Sequence, residues 1–149
     1  MKLELLTDKN ASQTLIRLVR TCKQMDVAVA WAGKNQVVEV MIEHHKKLRH
    51  VVIGTHMYQT DPAVLRSFMP FSAVRCMPPD GQLFHPKVYL FKLDNAFAAV
   101  IGSHNLTEGA FGARNIEASV LIQCDPSDDA LRSIDGFIQA SFGRLLRKR

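Results

Sequence analysis

The apolar positions of this chain change period along its length, and that change marks out the elements. Lys2 to Leu6 is a short strand candidate, and Thr7, Asp8 and Asn10 behind it supply helix-capping oxygens. Ala11, Leu15, Leu18, Val19 and Cys22 then recur at helical spacing and predict one apolar face. Met25 to Trp31 reads as a buried strand that Gly33 ends. Val37, Val40 and Met41 predict a second amphipathic helix, closing in the polar run His44-His45-Lys46-Lys47. His50 to Thr55 is a third strand, Asp61 to Phe68 a short helix and Ala73 to Met77 a fourth strand. Pro78-Pro79-Asp80-Gly81 follows as a turn signal.

The second half is dominated by alternation. Lys87 to Lys92 and Ala96 to Ile101 read as strands joined by a hairpin at Leu93-Asp94-Asn95, and Ile116 to Ile122 as another. Pro126 opens a final helix with Leu131, Ile134, Ile138, Phe142 and Leu145 on one face. Strand–helix alternation, then a run of strands and a closing helix, predicts an α/β fold. Its mixed sheet is flanked by helices on both sides, within a single domain spanning 1–149.

Size and composition narrow the class. A chain of 149 residues buries roughly 70% of its unfolded surface, so it needs neither disulfide nor metal to hold together. No apolar run approaches the roughly 18 residues of a membrane span, and Met1-Lys2-Leu3-Glu4 lacks the organisation of a signal peptide. The expectation is a soluble cytoplasmic chain with no membrane partner. Cys22, Cys76 and Cys124 form no C-x-x-C pair and fall in or beside apolar patterns, which predicts buried free thiols and no metal site. The net charge of +5 suits a polyanionic partner without identifying one.

The candidate chemistry lies between His85 and Glu117. His85-Pro86-Lys87 places a histidine and a lysine on one side of an extended segment, an attacking nitrogen beside a fixed positive charge. Gly102-Ser103-His104-Asn105 begins where the Ala96 to Ile101 strand ends, with glycine for a tight turn and two neutral donors for phosphoryl oxygens. Glu117, at the start of the next strand, has the chemistry to accept a hydrogen bond from His85 Nδ1 and fix its tautomer. The candidate catalytic set is therefore His85, Lys87, Asn105, Glu117 and Ser103, with no cofactor.

These motifs resemble the phospholipase D superfamily, whose signature is H-x-K-x4-D followed by G-S-x-N. His85-x-Lys87 and Gly102-Ser103-x-Asn105 match it, and Glu117 is similar to the acidic residue of the short nuclease branch. The motif aspartate falls at position 92, where this chain has Lys92, with Asp94 two residues late. In the family that aspartate is largely structural. Its loss moves the resemblance away from lipid-cleaving members and towards compact nucleases, including catalytic domains of metal-independent restriction enzymes. The resemblance implies a phospholipase D-like fold over nearly the whole chain.

In-line displacement at phosphorus needs a nucleophile on one face and a general acid on the other, and this chain carries one H-x-K motif. A symmetric homodimer supplies the second histidine, as in single-motif family members. The functional expectation is a metal-independent phosphodiesterase cleaving DNA through a phosphohistidine, its site shared across the homodimer, in a restriction or repair system. The competing readings are a nucleic-acid-associated binding or assembly module of a larger helicase or restriction machine, and a lipid phosphodiesterase. Trp31 is expected in the core rather than as a base-stacking platform, and His104 at the surface. Ser103 divides between turn hydroxyl and donor. The basic end, Arg144, Arg147, Lys148 and Arg149, is expected to be a solvated helix terminus.

Overall fold

The alternating segments all pair into one sheet. In chain order the elements are β1 (Lys2–Thr7), α1 (Ala11–Thr21), β2 (Gln24–Val29), α2 (Gln36–Glu43), β3 (Leu48–Gly54), α3 (Pro62–Phe68), β4 (Val74–Met77), β5 (Lys87–Lys92), β6 (Phe97–Gly102), α4 (Glu108–Phe111), β7 (Ala118–Cys124) and α5 (Asp129–Arg144). The computed structural model describes residues 1–112 and 114–145, so the basic residues Arg147, Lys148 and Arg149 lie outside the described residues. The seven strands run in the order β1-β7-β6-β5-β2-β3-β4. β2, β3 and β4 are parallel, because α2 and α3 carry the chain back between them; β1, β7, β6 and β5 are joined antiparallel, and β5 is antiparallel to β2.

Strand alternation sends the side chains to two cores. On one face Val27, Val29, Val51, Ile53, Tyr89, Phe91, Val100 and Leu121 pack under α1, α2 and α3. On the other, Ala28, Leu90 and Ala99 meet Leu131 and Ile138 of α5. Each fully buried Leu or Ile contributes about 1.5–3 kcal/mol. α5 packs chiefly on β2, β3 and β5, and a polar network fixes it there. Asp26 of β2, 3% exposed, accepts from Arg49 Nε at 3.0 Å and lies 2.9 Å from His50 Nδ1, while Arg49 Nη2 reaches Asp135 of α5 at 2.6 Å. Towards β1 this face is open. Leu3 and Leu5 of β1, 64% and 62% exposed, stand beside Ile122 and Val120 of β7 with nothing above them among the described residues.

Several expectations shift. α5 begins at Asp129 rather than Pro126, because Asp125 accepts the Ser127 amide in a local turn and Asp128 caps the helix through the Ala130 amide at 2.9 Å. Asn10 occupies the α1 cap position, yet its side chain turns back to the Thr7 amide at 2.8 Å. Ile116 and Glu117 precede β7 rather than opening it. α4, four residues capped by Thr107, was too short for any periodic signal. Cys22 and Cys124 are buried as expected, but Cys76 is exposed, since β4 is an edge strand with one side unpaired. No helix among the described residues is long and apolar enough to cross a membrane.

Candidate active site

Antiparallel register brings the end of β2, the start of β5 and the end of β6 to one edge of the sheet. Val29 pairs with Lys87, Val88 with Ile101, and Gly102 with Ser119. The Ala30 amide continues the ladder to the Pro86 carbonyl at 2.9 Å, so the segment preceding β5 stays extended. His85 and Lys87 consequently share a face. His85 is exposed and Lys87 buried. Lys87 Nζ lies 2.9 Å from Nε2 and 3.0 Å from Nδ1 of His85, and donates to the His85 carbonyl at 3.1 Å. Desolvation, with the Lys87 charge second, holds the His85 pKa below the usual imidazole value. Burial also lowers the Lys87 pKa, while the Glu117 charge acts in the opposite direction. The result at neutral pH is an uncharged imidazole with a lone pair, next to a cation.

The Gly102 turn builds the donor side. A Cβ at Gly102 would stand 2.4 Å from Ser119 Cα and 2.5 Å from the Ala118 oxygen, so only glycine lets β6 approach β7 here. Ser103 Oγ accepts the Ala118 amide at 2.9 Å, leaving its own hydroxyl hydrogen free to donate outward. Asn105 Oδ1 accepts the Trp31 amide at 3.2 Å, which commits the oxygen and leaves both amide hydrogens available. Ser103, Asn105, His85 and Lys87 therefore border one edge. Glu117 stands on the β7 side of it, accepting from Asn115 Nδ2 at 3.1 Å. No hydrogen bond joins it to His85 among the described residues; its charge reaches Lys87 instead. Nor do three His, Cys, Asp or Glu side chains gather there as a metal-ligand set among those residues.

His104 is a correction. It is fully buried, not at the surface: its Nδ1 is 2.7 Å from Ser119 Oγ, its carbonyl accepts the Tyr89 hydroxyl at 2.8 Å, and its ring stacks against Phe111. The alternation that turns Ser103 and Asn105 outward turns the residue between them inward, and the motif spacing carried that signal. Burial lowers its pKa, keeping the ring neutral.

Residues 70–142 match the family described as the NgoFVII restriction endonuclease N-terminal PLD (phospholipase D) domain. NucT from Helicobacter pylori superposes with a TM-score of 0.69 at 13% identity, covering 93% of this chain and 94% of that one. Nuc from Salmonella typhimurium, a phospholipase D family member, gives 0.68 at 18% identity, over 93% and 92%. The chain has the phospholipase D-like fold. Yeast tyrosyl-DNA phosphodiesterase shares the fold at a TM-score of 0.53 and 13% identity, over 86% of this chain and 34% of that one. No curated protein sequence matches the chain.

Within this phospholipase D-like fold, the departure at Lys92 has a physical reading. Lys92 is exposed at the far end of β5, five residues and hence about 17 Å from Lys87. A side chain there does not reach the histidine edge, and Asp94 pairs instead with Lys23 at 2.9 Å between two exposed groups. Trp31, expected in the core, is a second residue whose position differs. It is half-buried at the edge itself, its ring edge-on to His85 with centroids 5.3 Å apart and Lys87 Nζ 5.8 Å from its centre. Only the sheet order, which sets β2 beside β5, brings it there, so no local pattern in the sequence marks it.

Proposed function

We propose that this chain is a metal-independent phosphodiesterase that cleaves DNA through a phosphohistidine on His85, in a site completed by a second copy. The observation that carries the proposal is the neutral imidazole of His85 against the Lys87 ammonium, with the free donors of Ser103 and Asn105 at the same sheet edge. His85 Nε2 attacks phosphorus, the P–N bond forms, and the P–O bond to the leaving strand breaks. His85 of the second copy, charged as imidazolium once the anionic phosphodiester lies beside it, donates its proton to the departing oxygen. That histidine, now neutral, takes a proton from water, whose oxygen attacks phosphorus and breaks the P–N bond. Lys87, Asn105 and Ser103 stabilise the charge on the non-bridging oxygens. Once the phosphoryl group draws Lys87 away from the ring, Glu117 accepts the Nδ1 hydrogen of a His85 and holds the tautomer.

Two features support the homodimer. One chain offers a single histidine of this kind, and the uncovered apolar half-face of Leu3, Leu5 and Val120 gives a second copy something to bury. DNA as substrate, in a restriction or repair system, is supported by the matched restriction endonuclease domain and by the net charge of +5. Cleavage of supercoiled plasmid in EDTA tests the reading. The wild type is expected to nick and linearise the plasmid and to trap labelled phosphate at low temperature, and His85→Ala to do neither. EDTA-resistant cleavage by the His85→Ala protein refutes the assignment of the nucleophile.

A further inference from the structure

The segment after β3 carries two adjacent non-glycine residues in the left-handed region, Met57 at φ 59° and Tyr58 at φ 54°. Such backbone is unfavourable for side chains of this size and persists only where the surroundings enforce it. Here the ends are tightly held. Thr55 bonds Met77 through both its amide and its hydroxyl. Thr60, 6% exposed, donates to the Gly54 carbonyl at 2.6 Å and accepts the Ala32 amide at 3.2 Å. His56, 5% exposed, is buried as the anchor, with no hydrogen-bond partner for either ring nitrogen. What this framework holds out is apolar: Tyr58 is 88% exposed and Met57 66% exposed.

The same segment is tied to the candidate active site. Trp31 Nε1 donates to the His56 carbonyl at 2.9 Å, and the Trp31 ring also lies edge-on to His85. At Gly54 a Cβ would stand 3.2 Å from Phe84, the residue before His85. Along the sheet edge the order is thus Ser103 and Asn105 after β6, His85 and Lys87 at β5, Trp31 after β2, then Met57 and Tyr58 after β3. A phosphodiester at His85 has its bases on either side, and on the β3 side lies an exposed aromatic ring on a backbone that the segment ends hold. Ring faces on rigid backbone suit unpaired bases, whose own stacking surfaces are open, and bind them without regard to sequence.

The geometry points to Tyr58, next along the sheet edge from Trp31, as a stacking subsite for an unpaired nucleobase adjoining the phosphodiester held at His85. This rests on the phosphodiesterase reading for its substrate class, and its test is made independent of cleavage. Binding is measured on the His85→Ala protein with two single-stranded DNA dodecamers of equal charge, one all-adenine and one with every base replaced by an abasic site. Fluorescence of Trp31, the only tryptophan, reports contact. The adenine strand is expected to quench Trp31 and to bind about tenfold more tightly than the abasic strand. Tyr58→Gly removes the ring while suiting the left-handed backbone, so the segment keeps its shape; it is expected to abolish most of that tenfold difference while leaving abasic binding in place. Tyr58→Phe is expected to preserve it, because the ring and not the hydroxyl stacks. Equal binding of the two strands by the parent protein, or an unchanged preference in Tyr58→Gly, overturns the subsite. Loss of plasmid cleavage in His85→Ala bears only on the catalytic reading, so the two ideas fail separately.

Discussion

The Asn105 side-chain oxygen accepts the Trp31 backbone amide at 3.2 Å, across 74 residues of sequence. That one bond ties the end of β2 to the G-S-x-N turn and settles the direction of the Asn105 amide, because the oxygen is committed inward. A side chain locked this way offers its donors without having to reorganise during the reaction, which is the condition under which a neutral donor stabilises developing charge most.

Asn105→Asp separates the two roles. The carboxylate still accepts the Trp31 amide, so the turn and the thermal stability should survive, but both donors are lost and a negative charge faces the phosphoryl oxygens. We expect kcat to fall by at least the roughly 10²–10³-fold typical of losing one such donor, and further than for Asn105→Ala. Steady-state kinetics beside a melting curve check this. Retention of more than a tenth of wild-type kcat would place Asn105 outside the chemistry.

The His85 ring reports its surroundings through pH. Its pKa is lowered first by desolvation and second by the Lys87 charge. Lys87→Gln removes only the second cause, so the pKa is expected to rise yet stay below the ordinary value near 6.5. The sign follows because a nearby cation disfavours the imidazolium. Titration of the His85 ring protons by NMR measures it in the absence of substrate. A downward movement, or none, would show that the short Lys87–His85 contact does not govern the ring. For the wild-type enzyme the acid limb of kcat/KM should correspondingly lie below about 6.5, where the nucleophile becomes protonated.

How much of this was legible in sequence follows from what each feature depends on. His85, Lys87, Ser103 and Asn105 sit beside strands whose period-2 pattern is local, so both their types and their shared edge could be read from the chain. The mixed sheet and the helices on both sides followed from the same alternation. Trp31 could not be placed that way, because its neighbours are set by the non-sequential order β6-β5-β2-β3, which no local pattern encodes. His104 was legible in principle, since alternation within G-S-x-N forces it inward, but a histidine among polar residues invites a surface reading. The partner of Glu117 was beyond reach for a different reason: within one chain its carboxylate meets Asn115, and the proposed His85 contact belongs to an assembled site.

Away from the candidate site, the Asp26 network makes a purely structural prediction. Asp26 is nearly inaccessible, pairs with Arg49 and lies 2.9 Å from His50 Nδ1, while Arg49 also ties down Asp135 of α5. Asp26→Asn leaves the guanidinium with one partly exposed carboxylate. A loss of about 3 kcal/mol is expected, towards the lower end for breaking buried pairs because Arg49 still reaches water. Denaturant titration should show a lowered midpoint, and the activity of the folded fraction should be unchanged, since the network lies at the opposite end of β2 from His85. A stability change under 1 kcal/mol would mean that apolar packing alone seats α5.

The shared site makes its own quantitative demand. Leu5 is 62% exposed beside Val120 on the half-face that α5 leaves open, so Leu5→Glu should cost the single chain little while placing a charge where a second copy would bury it. The expected outcome is a protein of halved hydrodynamic mass, an almost unchanged melting curve and a loss of phosphodiesterase activity that higher protein concentration partly restores. Co-refolding wild-type and His85→Ala chains in equal amounts provides the complementary measurement. If catalysis needs a histidine from each copy, mixed dimers are inactive and only about a quarter of the dimers are wild-type pairs, so activity per wild-type chain falls to about half. If each chain works alone, activity per wild-type chain does not change. A fully active Leu5→Glu monomer, or a mixture that keeps its activity per wild-type chain, would return both proton transfers to a single His85 and end the case for a shared site.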